Sequence, residues 1–110
     1  MRIAICDDEK NSRELIGNKI KKQYPKADLV FFLSGEELLL FQKQIDILFL
    51  DIQMNGKNGM EAAKELRKKD KNVIIIFVTA IEDYVFQAFD VGAFNYIVKP
   101  IDDRKFAQIL

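Results

Sequence analysis

The run Ile45-Asp46-Ile47-Leu48-Phe49-Leu50-Asp51 is a short apolar segment followed directly by a carboxylate. Isoleucine, leucine and phenylalanine in a segment of this length are typical of a strand buried on both faces, as in parallel sheets covered by helices. Asp51 then lies at the carboxyl end of the strand, which is where open α/β sheets bind their ligands. Whether complementary groups reach the same edge depends on the residues at the carboxyl ends of the other strands.

The composition limits the domain organisation and the classes of ligand. The chain has 110 residues, of which 49% are hydrophobic, and this is enough for one core and one domain spanning residues 1–110. Lysine plus arginine and aspartate plus glutamate number 17 each. No overall basic field therefore attracts the chain to nucleic acid or to an anionic membrane, and such binding would need a local patch.

One cysteine and no histidine restrict the redox and metal chemistry. An internal disulfide and the usual Cys/His zinc sites are excluded, and we interpret Cys6 as a small buried hydrophobic side chain rather than a reactive thiol. The first acids, Asp7 and Asp8, come too early for a signal peptide, and no apolar run approaches membrane-spanning length. These features predict a soluble cytoplasmic protein with no membrane contact.

Short apolar runs predict five strands, at residues 2–6, 28–33, 45–51, 73–78 and 94–98. Helices are expected between them, from 11 or 12 to about 22, from about 35 to 44, from 59 to 69, from 82 to 91 and from about 102 onward. Strands and helices that alternate in this way form a parallel sheet with helices on both faces, because right-handed crossovers leave little other choice. The predicted fold class is therefore a three-layer α/β sandwich.

Residues at the ends of the predicted helices set their boundaries. Asn11 or Ser12 is expected to cap the first helix. Ser34 and Glu37 have the spacing of a capping box at the second helix, and Gly92 is placed to end the fourth in a left-handed conformation.

Four of the five strands end on residues that carry chemistry. Asp7 and Asp8 follow the first strand, Asp51 the third, Thr79 the fourth and Lys99 the fifth. Because the carboxyl ends of parallel strands share one edge, these side chains are expected to converge. Carboxylates this close repel one another unless a cation lies among them, and Mg²⁺ favours such oxygen ligands.

This set of groups suits an anionic phosphoryl group. Asp51 can act as an in-line nucleophile and form an aspartyl phosphate, while a metal ion and Lys99 neutralise the charge and Thr79 donates a hydrogen bond. Each residue alone has an ordinary explanation as a turn, cap or surface residue. The alternative for the whole set is an acidic cluster with one lysine salt bridge.

The same motifs resemble the receiver domain of two-component response regulators along the whole chain. The resemblance is carried, in order, by Asp7-Asp8, Leu50-Asp51-Ile52-Gln53-Met54 with Asn58-Gly59, Val78-Thr79-Ala80 and Tyr96-Ile97-Val98-Lys99-Pro100. It implies a flavodoxin-like (βα)5 fold with strand order 2-1-3-4-5, and a signalling switch rather than a turnover enzyme.

The resemblance also implies specific roles. Asp51 is the phosphoacceptor, and Mg²⁺ is bound by Asp7, Asp8, Asp51 and the backbone carbonyl of Gln53. Lys99 bridges to the phosphoryl group, and the Lys99-Pro100 peptide is expected to be cis. The resemblance further implies that Thr79 and Tyr96 move on phosphorylation, and we call these two residues the switch pair.

The segment Ala88-Phe89-Asp90-Val91-Gly92-Ala93-Phe94-Asn95-Tyr96 more narrowly resembles receivers that precede LytTR-type DNA-binding domains. This implies a sensor histidine kinase as phosphoryl donor and a transcriptional output, with DNA bound only through an output domain that this chain lacks. The last helix is shorter than in family members. The chain is either a piece of a longer protein that ends inside this helix or a divergent stand-alone receiver, and we favour the first.

A further departure is Asn55, where many family members have proline, so the loop after Asp51 is expected to be less rigid. The apolar residues of the fourth helix extend further round it than one buried stripe requires. They are either ordinary core or part of a homodimer interface of helix 4, strand 5 and helix 5.

Two other functions stay open at this point. An aspartate-nucleophile phosphatase would use a related sheet, but such enzymes need an acid two residues after the nucleophile, where this chain has Gln53. An interaction module that works without phosphorylation would need only the fold.

Overall fold

The computed structural model describes residues 1–110, in which five strands alternate with five helices. All strands are parallel, in the order β2-β1-β3-β4-β5, so the predicted fold class and strand order are confirmed. The strands are β1 (Arg2–Cys6), β2 (Asp28–Phe32), β3 (Ile47–Leu50), β4 (Ile74–Thr79) and β5 (Asn95–Val98). The helices are α1 (Lys10–Gln23), α2 (Gly35–Leu40), α3 (Gly59–Lys69), α4 (Val85–Asp90) and α5 (Asp103–Ile109).

The sheet separates two hydrophobic cores. Side chains alternate across the central strand β3, so that Leu48 and Leu50 enter one core and Phe49 enters the other. The first core contains apolar residues of α2, α3 and α4, and the second contains those of α1 and α5. Both faces of β3 are thus buried, as its continuous apolar run predicts.

The first helix begins earlier than predicted. It starts at Lys10, and Glu9 is its N-cap without a side-chain hydrogen bond, so the expected cap at Asn11 or Ser12 is wrong. The Ser12 hydroxyl lies instead against the side chain of Lys99. The helix ends at Gln23, directly before the predicted Tyr24-Pro25 boundary.

The second helix is shorter than predicted, ending at Leu40 rather than near Gln44. Phe41 adopts extended backbone angles, and its ring packs edge-on against Phe32 with centroids 5.2 Å apart. The Ser34 hydroxyl accepts a hydrogen bond from the Glu37 N–H, as a capping box requires. The Glu37 carboxylate accepts from the Leu33 N–H rather than that of Ser34, so only half of the predicted box is present.

The ends of the other helices show further differences. Asn58, directly before the predicted start of the third helix, forms a full capping box with Glu61 at the start of α3. The fourth helix covers only Val85–Asp90 of the predicted 82–91, and its N-cap makes no side-chain hydrogen bond. Gly92 has φ 66°, which confirms the left-handed end expected there.

None of the helices combines the length and the apolar composition required of a membrane span.

The fifth helix is attached mainly through Phe106, its one buried residue, whose ring stacks on Phe49 at a centroid distance of 5.4 Å. We expect Phe106→Ala to lower the free energy of unfolding by about 3 kcal/mol, because it leaves a cavity beside β3. The matched control, Phe86→Ala, removes a ring that is 88% exposed and should change stability by less than about 0.5 kcal/mol. Urea unfolding followed by circular dichroism measures both; equal effects would contradict this account of the packing.

Candidate functional site

The candidate site lies at the carboxyl edge of the sheet, where backbone hydrogen bonds continue past the strand ends. The Asp51 N–H donates to the Cys6 carbonyl at 3.0 Å, which places Asp51 beside the end of β1. In the same way the Lys99 N–H donates to the Thr79 carbonyl at 2.8 Å. The sheet itself therefore brings the predicted residues to one edge.

The Lys99 ammonium joins two carboxylates from different strands. Its Nζ lies 2.9 Å from Oδ2 of Asp7 and 3.1 Å from Oδ2 of Asp51. Asp7 is 1% exposed and Asp51 is 4% exposed, so both acids are withdrawn from solvent. The Lys99-Pro100 peptide is cis, as the resemblance implies.

Burial and charge act against each other in this group. Burial disfavours the charged form of Lys99, but hydrogen bonding to Asp7 and the charge of Asp51 outweigh it, so the pKa of the ammonium lies above its ordinary value. Burial also raises the pKa of Asp7, although the Glu9 N–H and Lys99 partly oppose this. Lys99 therefore carries a positive charge at neutral pH.

Four acids surround the position expected for a metal ion. One carboxylate oxygen from each of Asp7, Asp8, Glu9 and Asp51 lies within 4.8 Å of the others. The donors are all hard oxygens, the type of ligand that Mg²⁺ prefers. The donor set therefore fits a magnesium ion. The sequence shows Glu9 as the third of three successive acids but gives no sign that it joins the cluster.

Two carboxylates hold the loop after Asp51. The backbone N–H of Asn55 donates to Oδ2 of Asp8 at 3.1 Å, and that of Lys57 donates to Oε2 of Glu36 at 3.3 Å. A proline at position 55 would have no N–H for the first of these bonds. The loop thus replaces the rigidity of proline with hydrogen bonds, one of which orients a proposed metal ligand.

Gly59 lets the start of α3 approach the end of β3. A Cβ atom at this position would lie 2.0 Å from the carbonyl oxygen of Asp51, far inside van der Waals contact. The Gly59 N–H also donates to the Ile52 carbonyl at 2.8 Å. The glycine in the motif is therefore a requirement of the backbone beside Asp51.

The proposed switch residues Thr79 and Tyr96 both contact Ile81, in the loop after β4. The Thr79 hydroxyl, fully buried, accepts a hydrogen bond from the Ile81 N–H at 3.4 Å. The Tyr96 hydroxyl donates to the Ile81 carbonyl. Neither side chain contacts Asp51 or Lys99 through a hydrogen bond, so the structure places the switch pair next to the acidic site and not within it.

The Cys6 thiol lies close to the acidic site. Burial, followed by the charge of Asp7, raises the pKa of the Cys6 thiol to about 12, so the thiolate needed for a nucleophile is absent at neutral pH. The interpretation of Cys6 as a buried hydrophobic residue is confirmed.

The Ser12 hydroxyl accepts a hydrogen bond from Lys99 Nζ at 3.1 Å, a contact that no sequence motif indicates.

Comparison with known sequences identifies a matching family and several relatives. Residues 3–110 match the family model described as the response regulator receiver domain. The sensory transduction protein LytT of Bacillus subtilis is 31% identical over 112 residues, and LytT of Oceanobacillus iheyensis is 38% identical over 113 residues. These alignments include 100% and 96% of this chain, but only 46% and 45% of the relatives. The chain thus spans about half the length of the curated relatives it matches.

Solved structures with similar folds include several that exceed 25% identity. The response regulatory domain of mrkE from Klebsiella pneumoniae has a TM-score of 0.91 at 26% identity, over 99% of this chain and 91% of that one. The response regulator TrrA of Thermotoga maritima, in complex with Mg²⁺-BeF, has a TM-score of 0.79 at 35% identity, over 99% and 98%. By fold, motif order and sequence, this chain belongs to the response regulator receiver domain family.

Proposed function

We propose that the chain is a phosphorylation-dependent switch that accepts a phosphoryl group from a sensor histidine kinase on Asp51. The observation that carries this proposal is the buried Asp51 carboxylate bonded to Lys99 and surrounded by acids with oxygen ligands suited to Mg²⁺. An oxygen of Asp51 attacks phosphorus in line, and the bond from phosphorus to the donor nitrogen breaks. The chain takes up the group and later loses it, without turnover as an enzyme.

The charges at the site support a divalent cation. Four carboxylates, those of Asp7, Asp8, Glu9 and Asp51, lie together at the site with one ammonium, that of Lys99, so the acids outnumber the base. Asp7, Asp8, Asp51 and the backbone carbonyl of Gln53 would hold Mg²⁺, which supplies positive charge to the phosphoryl oxygens when bound. Lys99 would exchange its bond to Asp51 for one to a phosphoryl oxygen.

The switch would begin at Thr79. Its hydroxyl would leave the Ile81 N–H and donate to a phosphoryl oxygen, and Tyr96 would rotate into the space that Thr79 leaves. These contacts exist only in the phosphorylated state, so they shift an existing equilibrium toward the active conformation. The loop that contains Ile81 connects both residues to α4.

The output of this switch is proposed from the relatives. They are sensory transduction proteins named LytT, and about half of their length has no counterpart in this chain. We infer that the chain works in the cytoplasm and that phosphorylation acts on a LytTR-type DNA-binding domain, which would regulate transcription.

The direct test is incubation of the chain with acetyl phosphate and Mg²⁺, followed by intact mass spectrometry. We expect the wild type to gain one phosphoryl group and Asp51→Asn to gain none, because the amide has no nucleophilic carboxylate oxygen. Asp90→Asn, at an exposed position, is the matched control and should behave as wild type. No adduct on the wild type, or an undiminished adduct on Asp51→Asn, contradicts the proposal; steady turnover of a phosphate monoester supports the phosphatase instead.

An apolar surface on α4 is available for the proposed homodimer. We define the α4 patch as Phe86 and Phe89, which are 88% and 84% exposed, with Phe94 beside β5 at 61%. The buried residue of α4 is Ala88, so these rings are not core. Large apolar side chains that are this exposed favour an interface. The α4 patch covers the α4 and β5 parts of the homodimer interface that the sequence predicts as one alternative.

We expect Mg²⁺ with beryllium fluoride to shift the wild type from monomer to dimer in sedimentation velocity runs. Phe86→Ala with Phe89→Ala should keep the chain monomeric at the same concentration, because the apolar area of the α4 patch is lost. The control is Leu33→Ala, which removes an apolar side chain that is 50% exposed. Leu33 follows β2, at the opposite edge of the sheet from β5. A double variant that dimerises as well as wild type would exclude this interface.

A further inference from the structure

We propose that Ser12 is a positioning residue for Lys99, and that its hydroxyl holds the ammonium in the orientation that phosphoryl uptake requires. An ammonium has three N–H donors. In this site the three partners nearest to Nζ are Asp7 at 2.9 Å, Asp51 at 3.1 Å and Ser12 at 3.1 Å. Ser12 is the one neutral acceptor among them.

The sheet order explains why Lys99 needs such an anchor. Lys99 follows β5, whereas Asp7 follows β1, and β3 and β4 lie between these strands. The lysine side chain must therefore extend across two strands to reach Asp7. A lysine held in one conformation loses rotamer entropy, so the contacts at the end of its side chain must offset this loss.

The start of α1 places the hydroxyl where it is needed. Because the helix begins at Lys10, Ser12 lies in its first turn, directly after the acidic segment that contains Asp7. Arg13 fixes this turn by donating to the Asp7 carbonyl at 2.9 Å. The hydroxyl thus comes from α1, whereas the two carboxylates that bind Lys99 come from strand ends.

The neutral character of Ser12 matters for the chemistry. The exposed carboxylate of Glu9 lies 3.9 Å from Nζ and attracts the ammonium outward. Ser12 offers a competing acceptor inside the site without adding negative charge. When a phosphoryl group replaces the Asp51 contact, the bonds to Asp7 and Ser12 can both persist, and they keep the third N–H directed at the phosphoryl oxygens.

This inference rests on the proposed function, and its test separates the two. The rate of phosphoryl uptake from acetyl phosphate at saturating Mg²⁺ is compared among wild type, Ser12→Ala, Ser12→Thr and the exposed neighbour control Asn11→Ala. Mg²⁺ affinity of each protein is measured separately by calorimetry, and folding by circular dichroism.

We expect Ser12→Ala to take up the phosphoryl group about tenfold more slowly, as for loss of one hydrogen bond to a charged group. Ser12→Thr, which keeps the hydroxyl, should return to within about twofold of wild type, and Asn11→Ala should match wild type. Mg²⁺ affinity should be unchanged in all of them, since Ser12 contacts Lys99 and none of the proposed metal ligands.

Three results overturn the inference. The first is equal uptake by Ser12→Ala and wild type. The second is phosphoryl uptake that is equally slow in Ser12→Ala and Ser12→Thr, whatever the folded fraction of Ser12→Ala. The third is a change in Mg²⁺ affinity that accounts for the whole effect. A wild type that takes up no phosphoryl group overturns the proposed function as well, so the two failures are distinguishable.

Discussion

The candidate site depends on the ion pairs of Lys99 with Asp7 and Asp51. They connect β5 to β1 and β3 across the edge of the sheet, at 2.9 and 3.1 Å. Both acids are almost fully buried, and removing one member of a buried charge pair typically costs about 3–5 kcal/mol. The same lysine therefore holds the strand ends together and supplies positive charge beside the one residue proposed to accept a phosphoryl group. Structure and proposed chemistry here rely on the same contacts.

The surrounding loops adjust this arrangement without entering the sheet. Asn55 orients Asp8 through a backbone N–H, and Gly59 lets α3 start against the Asp51 carbonyl. Ile81 donates its N–H to the Thr79 hydroxyl and accepts a hydrogen bond from the Tyr96 hydroxyl. Each contact comes from a loop that follows a strand, where backbone groups are free of the sheet ladder. In the proposed switch, a change at Asp51 would reach α4 through Thr79 and the loop that contains Ile81.

The sequence predicts those features that depend on the local pattern of residues. The five strands lie within two residues of their predicted bounds, because short apolar runs rich in β-branched residues, such as that of β4, are typical of a buried strand. The strand order, the Gln53 ligand and the role of Tyr96 come from the resemblance, whereas the chemistry proposed for Asp51, Thr79 and Lys99 follows from their positions at the strand ends. The contact of Ser12 with Lys99 could not be predicted, since it joins residues 87 positions apart and a serine near a helix start reads as a cap. The early end of α2 likewise follows from the packing of Phe41 on Phe32, which local propensity does not encode.

The most direct measurement of the central claim is a crystal structure of the chain grown with Mg²⁺ and beryllium fluoride, as in the Thermotoga relative. We expect the beryllium fluoride group on a carboxylate oxygen of Asp51, with Mg²⁺ bound by Asp7 and Asp8. Lys99 Nζ should then lie about 3 Å from a fluorine while keeping its bond to Asp7. An unmodified Asp51 that still binds Lys99, or an ion bound away from these acids, would contradict the central claim.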